Sequence, residues 1–284
     1  MHTRAATGLA LAAIFLWASL ALLSVRLSAV PPFLLVGVSL LIGSLGSIHR
    51  LREWRVPPLT LLLGCAGLFG YHFCLFLALR LAPALQANLL NYLWPLLIVL
   101  LSPLLLRGYR LGPNHIVGGL LGFAGAAVLI ASRGSVSISS AHWGGYLLAI
   151  LAAFIWASYS LLTKRVAAFP TAAIGGFCAL SGMLSLLCHA ALEPAYRPSS
   201  SEWGFLLMLG IGPLGAAFFL WDAALKRGDA RTIGTLAYLT PLLSTSLLVL
   251  FGGGELTLPA MAALVLILGG AWLGSRPVRQ MAAQ

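Results

Sequence analysis

The sequence has very little charge: only 8% of its 284 residues are Asp, Glu, Lys or Arg, while 60% are hydrophobic. A soluble domain carries roughly 25% charged residues, so this chain could not cover a water-exposed surface with the charges that it has. Intrinsic disorder is excluded as well, because disordered segments are poor in apolar residues and rich in charge. The apolar runs are continuous and do not alternate residue by residue, which argues against an outer-membrane β-barrel. The composition therefore predicts an all-α polytopic membrane protein.

Acidic residues are the scarcest charged type, with 6 Asp and Glu against 17 Lys and Arg and a net charge of +11. In a soluble protein this excess would indicate nucleic-acid binding. In a membrane protein Lys and Arg collect in cytoplasmic loops, and we favour this explanation, with no nucleic acid as partner. The 4 cysteines lie in apolar runs without a CxxC pair, so neither a metal site nor a disulfide is expected. HExxH and Walker motifs are missing too, and no cofactor is expected.

Charged and Pro/Gly-rich breaks divide the chain into ten apolar runs, each near the roughly 20 residues that cross a bilayer. These predicted spans cover residues 6–25, 31–48, 58–79, 84–106, 113–132, 142–162, 171–190, 203–225, 232–251 and 258–274. With the N-terminus inside, thirteen of the 17 Lys and Arg fall on the inner side, and the other four are Arg26, Arg80, Arg133 and Arg197. This asymmetry predicts that both termini are cytoplasmic.

An internal repeat runs through the chain. Residues 10–45 align with residues 149–184, which matches the segments Phe15–Ser19 and Phe154–Ser158. Residues 78–97 align with residues 224–243. Each copy holds five spans, an odd number, so the two copies must cross the membrane in opposite senses. We therefore predict one membrane domain of two inverted five-helix repeats, residues 1–135 and 136–284, an arrangement typical of secondary transporters with a midplane site.

The most polar stripe lies in the fourth predicted span, where Asn88, Asn91, Tyr92 and Pro95 fall on one helical face. Amides that face lipid are costly, so this face either bonds to other helices or lines a wet cavity. We favour the cavity. Pro95 and its repeat equivalent Pro241 each remove a backbone donor, which predicts a hinge or kink in both helices.

Aromatic residues away from the span ends form a second candidate site. Trp156 and Tyr159 share a face of the sixth span, and Trp17 is the repeat equivalent of Trp156. Tyr71 and Trp94 have no aromatic equivalent in the other repeat, as expected for a site that holds an asymmetric substrate. Packing within the bundle is the alternative role for each ring.

Ionisable residues within the predicted spans are few. His72 lies midway along the third span, where a histidine is a candidate substrate contact or proton carrier. Its structural alternative is a neutral imidazole bonded to a neighbouring helix. Asp222 stands four residues before Lys226, and we expect these two to form an i, i+4 ion pair.

Ten spans in two inverted repeats, with a basic loop after each even span, resemble the drug/metabolite transporter superfamily, EamA type. Within it, the two segments Phe15–Ser19 and Phe154–Ser158, residues 78–88 and Asn91–Pro95 are similar to bacterial aromatic amino acid exporters of the YddG kind. The resemblance implies a bacterial inner-membrane exporter whose central cavity takes aromatic amino acids. It implies a cavity lined by Tyr71, His72, Asn88, Tyr92, Trp94 and Trp156.

We therefore expect a secondary transporter that exports aromatic amino acids and related neutral or zwitterionic metabolites by alternating access. Its expected partners are the small-molecule substrate and the lipid bilayer, and a monomer is compatible with this function. Export of other amino acids or of several drugs is the alternative, and a membrane-embedded enzyme would need an acid–base or metal constellation beyond His72 and Asp222. The candidate substrate-binding residues are Trp17, Tyr71, His72, Asn88, Asn91, Tyr92, Trp94, Trp156, Tyr159 and Tyr238.

Overall fold

The structure, a computed structural model, describes residues 2–132, 134, 139–166, 168–252 and 257–276. These residues contain no β-strand, so the all-α prediction is confirmed for the described part of the chain. Arg133 and the predicted repeat boundary at residues 135/136 lie outside it, as does the C-terminus. The α-helices are α1 (His2–Ala18), α2 (Leu20–Arg26), α3 (Pro32–Ser44), α4 (Pro58–Cys65), α5 (Tyr71–Leu81), α6 (Ala84–Asn91), α7 (Trp94–Leu105), α8 (Pro113–Ala131), α9 (Trp143–Leu162), α10 (Ile174–Leu192), α11 (Ser200–Ile211), α12 (Ala217–Arg227), α13 (Ala230–Leu236), α14 (Leu239–Gly252) and α15 (Leu258–Gly274).

Seven helical stretches among the described residues are long and apolar enough to cross a membrane. Several of them join two of the helices above through a short 3₁₀ or π-helical segment. They are Pro32–Trp54, Pro58–Leu81, Ala84–Leu105, Pro113–Ala131, Ser140–Leu162, Thr171–Leu192 and Ser200–Arg227. The other three predicted spans, residues 6–25, 232–251 and 258–274, correspond to helices that are interrupted or shorter. The count of ten therefore stays a prediction.

Two of the long stretches contain a π-helical turn, Ala66–Gly70 between α4 and α5 and Gly212–Ala216 between α11 and α12. Pro213 has no backbone N–H, which removes one helical hydrogen bond from the second turn. Gly67 in the first turn is packed tightly, since a Cβ there would lie 2.3 Å from the ring of Tyr159. Such turns widen a helix locally and are frequent at functional sites.

Other helices break where a proline follows. The turn at Tyr92–Leu93 separates α6 from α7, and α13 ends at Leu236, before α14 begins at Leu239. These breaks lie about one helical turn before Pro95 and Pro241, where the loss of the proline donor leaves the helix weakest. Both proline positions therefore adjoin a break in the helix, as the hinge prediction requires.

Glycines bring the outer helices of the bundle into close contact. Gly37 of α3 lies against Gly182 of α10, and Gly118 of α8 lies against Gly274 of α15, so that a Cβ at Gly37, Gly182 or Gly118 would meet backbone atoms within about 3.1 Å. Small residues are the means by which helices approach closely where the surrounding solvent is apolar. These two pairs flank the central helices, and Leu104 and Leu258 on the outside of the bundle are more than 70% exposed.

The central helices run antiparallel and group the connections at two ends of the bundle. Near one end, the backbone of Gly228 lies beside Ala6 of α1, and Lys164 at the end of α9 donates to the Gly228 carbonyl at 2.9 Å. At the other end, the Glu193 carboxylate accepts from the backbone N–H of Phe33 and from Arg80, at 3.1 Å each. The site lies between these ends.

Candidate functional site

A cavity of about 530 Å³ occupies the centre of the bundle. This size is within the roughly 300–1,000 Å³ that is usual for small-molecule sites. Most of its lining is apolar, and helices α5 and α6 contribute most of the polar side chains. The lining includes Trp17, Leu20, Leu27, Val30, Pro32, Tyr71, His72, Leu75, Phe76, Asn88, Asn91, Tyr92, Trp94, Trp156, Leu214, Phe218, Thr240 and Ser244.

Four indoles, Trp17, Trp94, Trp156 and Trp221, form a tryptophan cluster at the bottom of this cavity. The Trp17 ring centroid lies 6.2 Å from that of Trp94 and 5.7 Å from that of Trp156, in edge-on geometry. The Trp17 Nε1–H donates to the carbonyl of Pro213 at 3.1 Å, which fixes the ring against the second π-helical turn. Interlocked indoles of this kind present a rigid aromatic surface to the cavity.

Polar groups on α5 and α6 form the other wall. The Asn91 amide donates to the Tyr71 hydroxyl at 3.2 Å, and the Asn91 carbonyl oxygen is buried without a hydrogen-bond partner. The Thr240 hydroxyl is likewise buried and unpartnered. Buried polar atoms are normally hydrogen-bonded, so these two oxygens lack the partner that such atoms usually have.

His72 lies between the polar wall and the aromatic rings. Its Nδ1 is 2.6 Å from the carbonyl oxygen of Leu68, in the first π-helical turn. A carbonyl only accepts, so Nδ1 carries the proton and Nε2 of the neutral ring is left as an acceptor. His72 is thus held in place by its own helix and not by a neighbouring one.

Eight of the predicted substrate-binding residues line the cavity, and Tyr159 and Tyr238 do not. Tyr159 is only 4% exposed, and its ring packs on Gly67. Tyr238 is fully buried and packs on Gly122. Substrate contact by these two residues therefore stays a prediction: in the structure each aromatic ring fills the space above a glycine of a neighbouring helix, outside the cavity lining.

Phe218, Thr240, Ser28, Ser244 and several apolar residues of the lining were not predicted from the sequence. The repeat could have identified two of them, because Phe218 aligns with His72 and Thr240 aligns with Trp94. The two halves therefore supply unlike residues at equivalent positions, with most of the amide and imidazole groups on the first half.

Among the described residues, the cavity lining extends to one end of the bundle. Its lining extends to the connection between α2 and α3, and we call the residues there the mouth: Leu20, Leu27, Val30, Pro32, Leu75 and Phe76. Toward the opposite end the lining stops at Trp94, Trp156, Leu214 and Phe218. We call this opposite end the closed end.

Polar contacts hold the closed end together beneath the tryptophan cluster. The Trp221 Nε1–H donates to the Ser160 hydroxyl at 3.0 Å. Asp222 and Lys226 form the predicted ion pair, with 2.7 Å between Oδ2 and Nζ, so that prediction is confirmed. Lys164 donates to the carbonyls of Leu225 and Gly228. Burial lowers the pKa of the Lys164 ammonium, although the nearby Asp229 opposes this shift.

Asp229 begins α13 at the closed end by accepting from the backbone N–H of Arg231 at 2.8 Å. The Arg231 side chain pairs with the same carboxylate and also donates to the carbonyl of Arg110. Burial by itself would raise the pKa of Asp229, but the bonds to Arg231 outweigh it and hold this pKa below its usual value. A carboxylate that caps a helix and pairs with arginine stays ionised.

No group of three or more His, Cys, Asp or Glu residues that could hold a metal ion occurs in the part of the chain that the structure describes. The cavity instead combines a flat aromatic surface, several uncharged hydrogen-bonding groups and no lysine or arginine in its lining. This combination suits a neutral or zwitterionic molecule that carries an aromatic ring.

The comparisons with known proteins agree with this chemistry. The model of the family described as "EamA-like transporter family" matches residues 5–131 and 143–276. An "Aromatic amino acid exporter YddG" from Ancylobacter novellus is 44% identical over 279 residues, which cover 95% of this chain and 97% of the relative. The protein of the same name from Escherichia coli is 27% identical over 84% of both chains.

A solved crystal structure has the same fold. It superposes with a TM-score of 0.93 at 43% sequence identity, and the match covers 96% of this chain and 97% of the other. Another similar protein, from Salmonella typhimurium, is named "Probable amino-acid metabolite efflux pump" and is 28% identical over 93% of both chains. These relatives carry the names of exporters or efflux pumps.

Proposed function

The chain belongs to the EamA-like transporter family, and from this premise we propose that it is a secondary transporter that exports aromatic amino acids and related neutral or zwitterionic metabolites. The observation that carries this proposal is the central cavity with its tryptophan cluster. Trp17, Trp94 and Trp156 border it together with Tyr71, so a flat ring meets aromatic surface on several sides. The names of the similar exporters support the same substrate class.

The cavity offers separate partners to the two parts of an aromatic amino acid. Each well-placed aromatic pair contributes about 0.5–1.5 kcal/mol beyond the burial of apolar area. The oxygens of Asn91 and Thr240 and the Nε2 of His72 accept hydrogen bonds from an ammonium group, and the hydroxyls and the amide of Asn88 donate to a carboxylate. Because the lining holds no charged residue, the proposed substrate carries no net charge.

We also propose that the chain has ten spans in two inverted repeats, residues 1–135 and 136–284. Movement of the repeats would open the cavity first to one side of the membrane and then to the other. Equivalent features support this arrangement: the π-helical turns Ala66–Gly70 and Gly212–Ala216 coincide in the repeat alignment. The breaks before Pro95 and Pro241 fall within one residue of each other in the same alignment. Interrupted helices around a midplane site are typical of alternating access.

The proposed orientation puts the closed end in the cytoplasm of a bacterium and the mouth on the outer side of its inner membrane. Basic residues support it, since Arg110, Lys164, Lys226 and Arg231 all lie at the closed end. Lys and Arg are enriched in cytoplasmic loops. The open mouth would then be the side from which an exported substrate leaves.

Counterflow in proteoliposomes tests the proposed function. The purified protein is reconstituted with unlabelled tryptophan inside, and the uptake of external labelled amino acids is followed for tryptophan, phenylalanine, threonine and lysine. We expect tryptophan and phenylalanine to exchange fastest and lysine slowest. Equal exchange of all four would favour the alternative of a broad amino acid or drug exporter, and no exchange of tryptophan would refute the proposal.

A further inference from the structure

We propose that Thr171, Asp222 and Lys226 form a latch that holds the closed end shut, and that this end opens only when the latch separates. The inference rests on the proposed transport function, because it identifies the gate that alternating access requires at the closed end. None of the three residues lines the cavity, and so each acts by positioning helices and not by touching the substrate.

The latch ties α12 to the connection that precedes α10. The Asp222 Oδ2 accepts from the Thr171 hydroxyl at 2.6 Å and from the Lys226 ammonium at 2.7 Å. The ammonium also donates to the carbonyl of Phe169 at 2.8 Å and lies 3.8 Å from the centre of its ring. Asp222 is 3% exposed, so these contacts are sheltered from solvent on the cavity side.

The repeat identifies what these positions do at the other end of the bundle. Thr171 aligns with Pro32, and Asp222 aligns with Phe76. Pro32 and Phe76 both line the mouth, the end that is open. The residues that touch in the latch therefore correspond, in the other half, to residues that line the cavity at the mouth.

A second pair of equivalent positions differs in burial between the two ends, because the mouth residues Leu20 and Leu75 are half-buried. Trp221 aligns with Leu75 of the mouth, and Tyr159 aligns with Leu20 of the mouth. Trp221 and Tyr159 are 1% and 4% exposed at the closed end. Inverted repeats exchange the roles of their equivalent segments when a transporter changes sides. If the two ends exchange roles in this way, the latch positions lose their mutual contacts when the closed end opens and come to line the cavity, as their equivalents do at the mouth.

The chemistry of the latch suits a contact that must break repeatedly. A buried ion pair has little net stability, because the desolvation of both charges offsets their attraction. When the closed end opens to water, Asp222, Lys226 and Thr171 exchange their mutual bonds for hydration. Oδ1 of Asp222 is buried without a partner in the closed form and gains one on opening. The latch therefore favours the closed form without making it permanent.

Two matched pairs of spin labels report the two ends independently of transport. Arg165 and Arg227 are exposed at the ends of α9 and α12, and their repeat equivalents Arg26 and Leu81 are exposed beside the mouth. Each pair is replaced by cysteine in a background with Cys188→Ser, because the other three native cysteines are buried. Distance distributions are then measured by double electron–electron resonance in nanodiscs.

The decisive variant is Thr171→Val, which removes the hydroxyl and keeps the shape of the side chain. Thr171→Ser restores the hydroxyl and serves as the rescue. Thr163→Val is the matched control, since Thr163 also lies near the closed end, is buried, and donates only to the carbonyl of Ser160 in the preceding turn. Asp222→Asn is a second test of the latch that keeps the size of the side chain.

In some molecules the closed end is open, and in the others it is shut. We expect Thr171→Val to raise the ratio of the first population to the second about tenfold, which corresponds to about 1.4 kcal/mol. The Arg165/Arg227 distance should lengthen while the Arg26/Leu81 distance shortens, and Thr171→Ser and Thr163→Val should match the parent protein. If Thr171→Val and Asp222→Asn both leave the two distributions unchanged, the latch is refuted. Because this readout needs no substrate, a failure of tryptophan counterflow would refute the proposed function and leave the latch result standing.

Discussion

The mouth and the closed end occupy equivalent positions of the sequence repeat, yet their chemistry differs. The named mouth residues are apolar, although Ser28 beside them also lines the cavity, and Pro32 and Phe76 occupy the places where the closed end has Thr171 and Asp222. Apolar surfaces that meet and part in this way need no specific partner. The closed end therefore has a polar contact at positions where the mouth has apolar residues.

Near the mouth, the charged residue Arg80 forms its ion pair with a residue outside the mouth. Arg80 aligns with Lys226 of the latch, but it pairs with Glu193 at 3.1 Å. The Glu193 carboxylate is fully buried and also accepts from the backbone of Phe33 at the start of α3. Arg80 and Glu193 therefore tie the end of α5 to the start of α3 near the mouth, through partners that differ from those of the latch.

The largest expected effect on stability comes from replacing only one of the two charged residues of the latch by an apolar residue. Asp222→Leu removes one partner of a buried pair and leaves the ammonium of Lys226, which is 25% exposed, without its carboxylate. We expect the free energy of unfolding to fall by about 3 kcal/mol, the lower end of the range for broken buried pairs, because of that partial exposure. Thermal unfolding in detergent measures the loss.

The double variant Asp222→Leu/Lys226→Met supplies the contrast. It converts the closed end into an apolar surface like the mouth and should recover most of the lost stability. As a control, Glu53→Gln breaks the exposed pair with Arg50 and should cost at most about 1 kcal/mol. A double variant as unstable as Asp222→Leu would show that the two ends differ by more than their charges.

A smaller effect is expected at the π-helical turns, which the two halves share in shape but not in sequence. Gly67 in the first turn aligns with Pro213 in the second. Gly67→Ala would place a Cβ 2.3 Å from the Tyr159 ring, and we expect about 2 kcal/mol of destabilisation from overpacking. Gly204→Ala, where nothing lies within 4 Å, is the control and should not destabilise the protein. Equal melting temperatures for both variants would contradict the tight packing at the first turn.

The smallest effect concerns His72 and its equivalent Phe218, which face the same cavity from opposite halves. His72→Phe makes these positions alike and removes the Nε2 acceptor. We expect the affinity for tryptophan to fall about 2- to 10-fold, since one hydrogen bond contributes about 0.5–1.5 kcal/mol. Competition against labelled tryptophan in counterflow measures it.

The variant His72→Gln keeps a donor and an acceptor and separates two roles of the histidine. If the ring serves as a hydrogen-bonding contact, His72→Gln should retain most of the affinity and the same pH dependence of exchange. Loss of the pH dependence in His72→Gln alone would instead assign the ring to proton transfer.

The outline of the fold was predictable from the sequence because it depends on local patterns. Apolar runs marked the helices, and Pro95 and Pro241 marked their breaks to within about one turn. The π-helical turns were not predictable, since they depend on contacts such as that between Gly67 and Tyr159, which are far apart in sequence.

The site residues, like the fold, were predictable where they depend on local spacing and not where they depend on contacts between distant segments. Helical spacing grouped Asn88, Asn91 and Tyr92, which lie together at the cavity. It also grouped Tyr159 with Trp156, although only Trp156 reaches the cavity, because spacing defines a face and not its neighbour. The bond between Thr171 and Asp222 joins residues 51 positions apart, so no single span could indicate which end is shut.

The assignment of the cavity to aromatic substrates is tested by one quantity above the others. This is the ratio of tryptophan to threonine affinity in the variant Trp156→Ala. Phe154→Ala is the control, because Phe154 lies on the same helix and is 48% exposed on the outside of the bundle. Loss of ring stacking and buried apolar area should weaken tryptophan binding by about 1.4–3 kcal/mol, or about 10- to 150-fold, and leave threonine and the control nearly unchanged. Equal losses for tryptophan and threonine would mean that Trp156 only packs the bundle, and would contradict the assignment of the cavity to aromatic substrates.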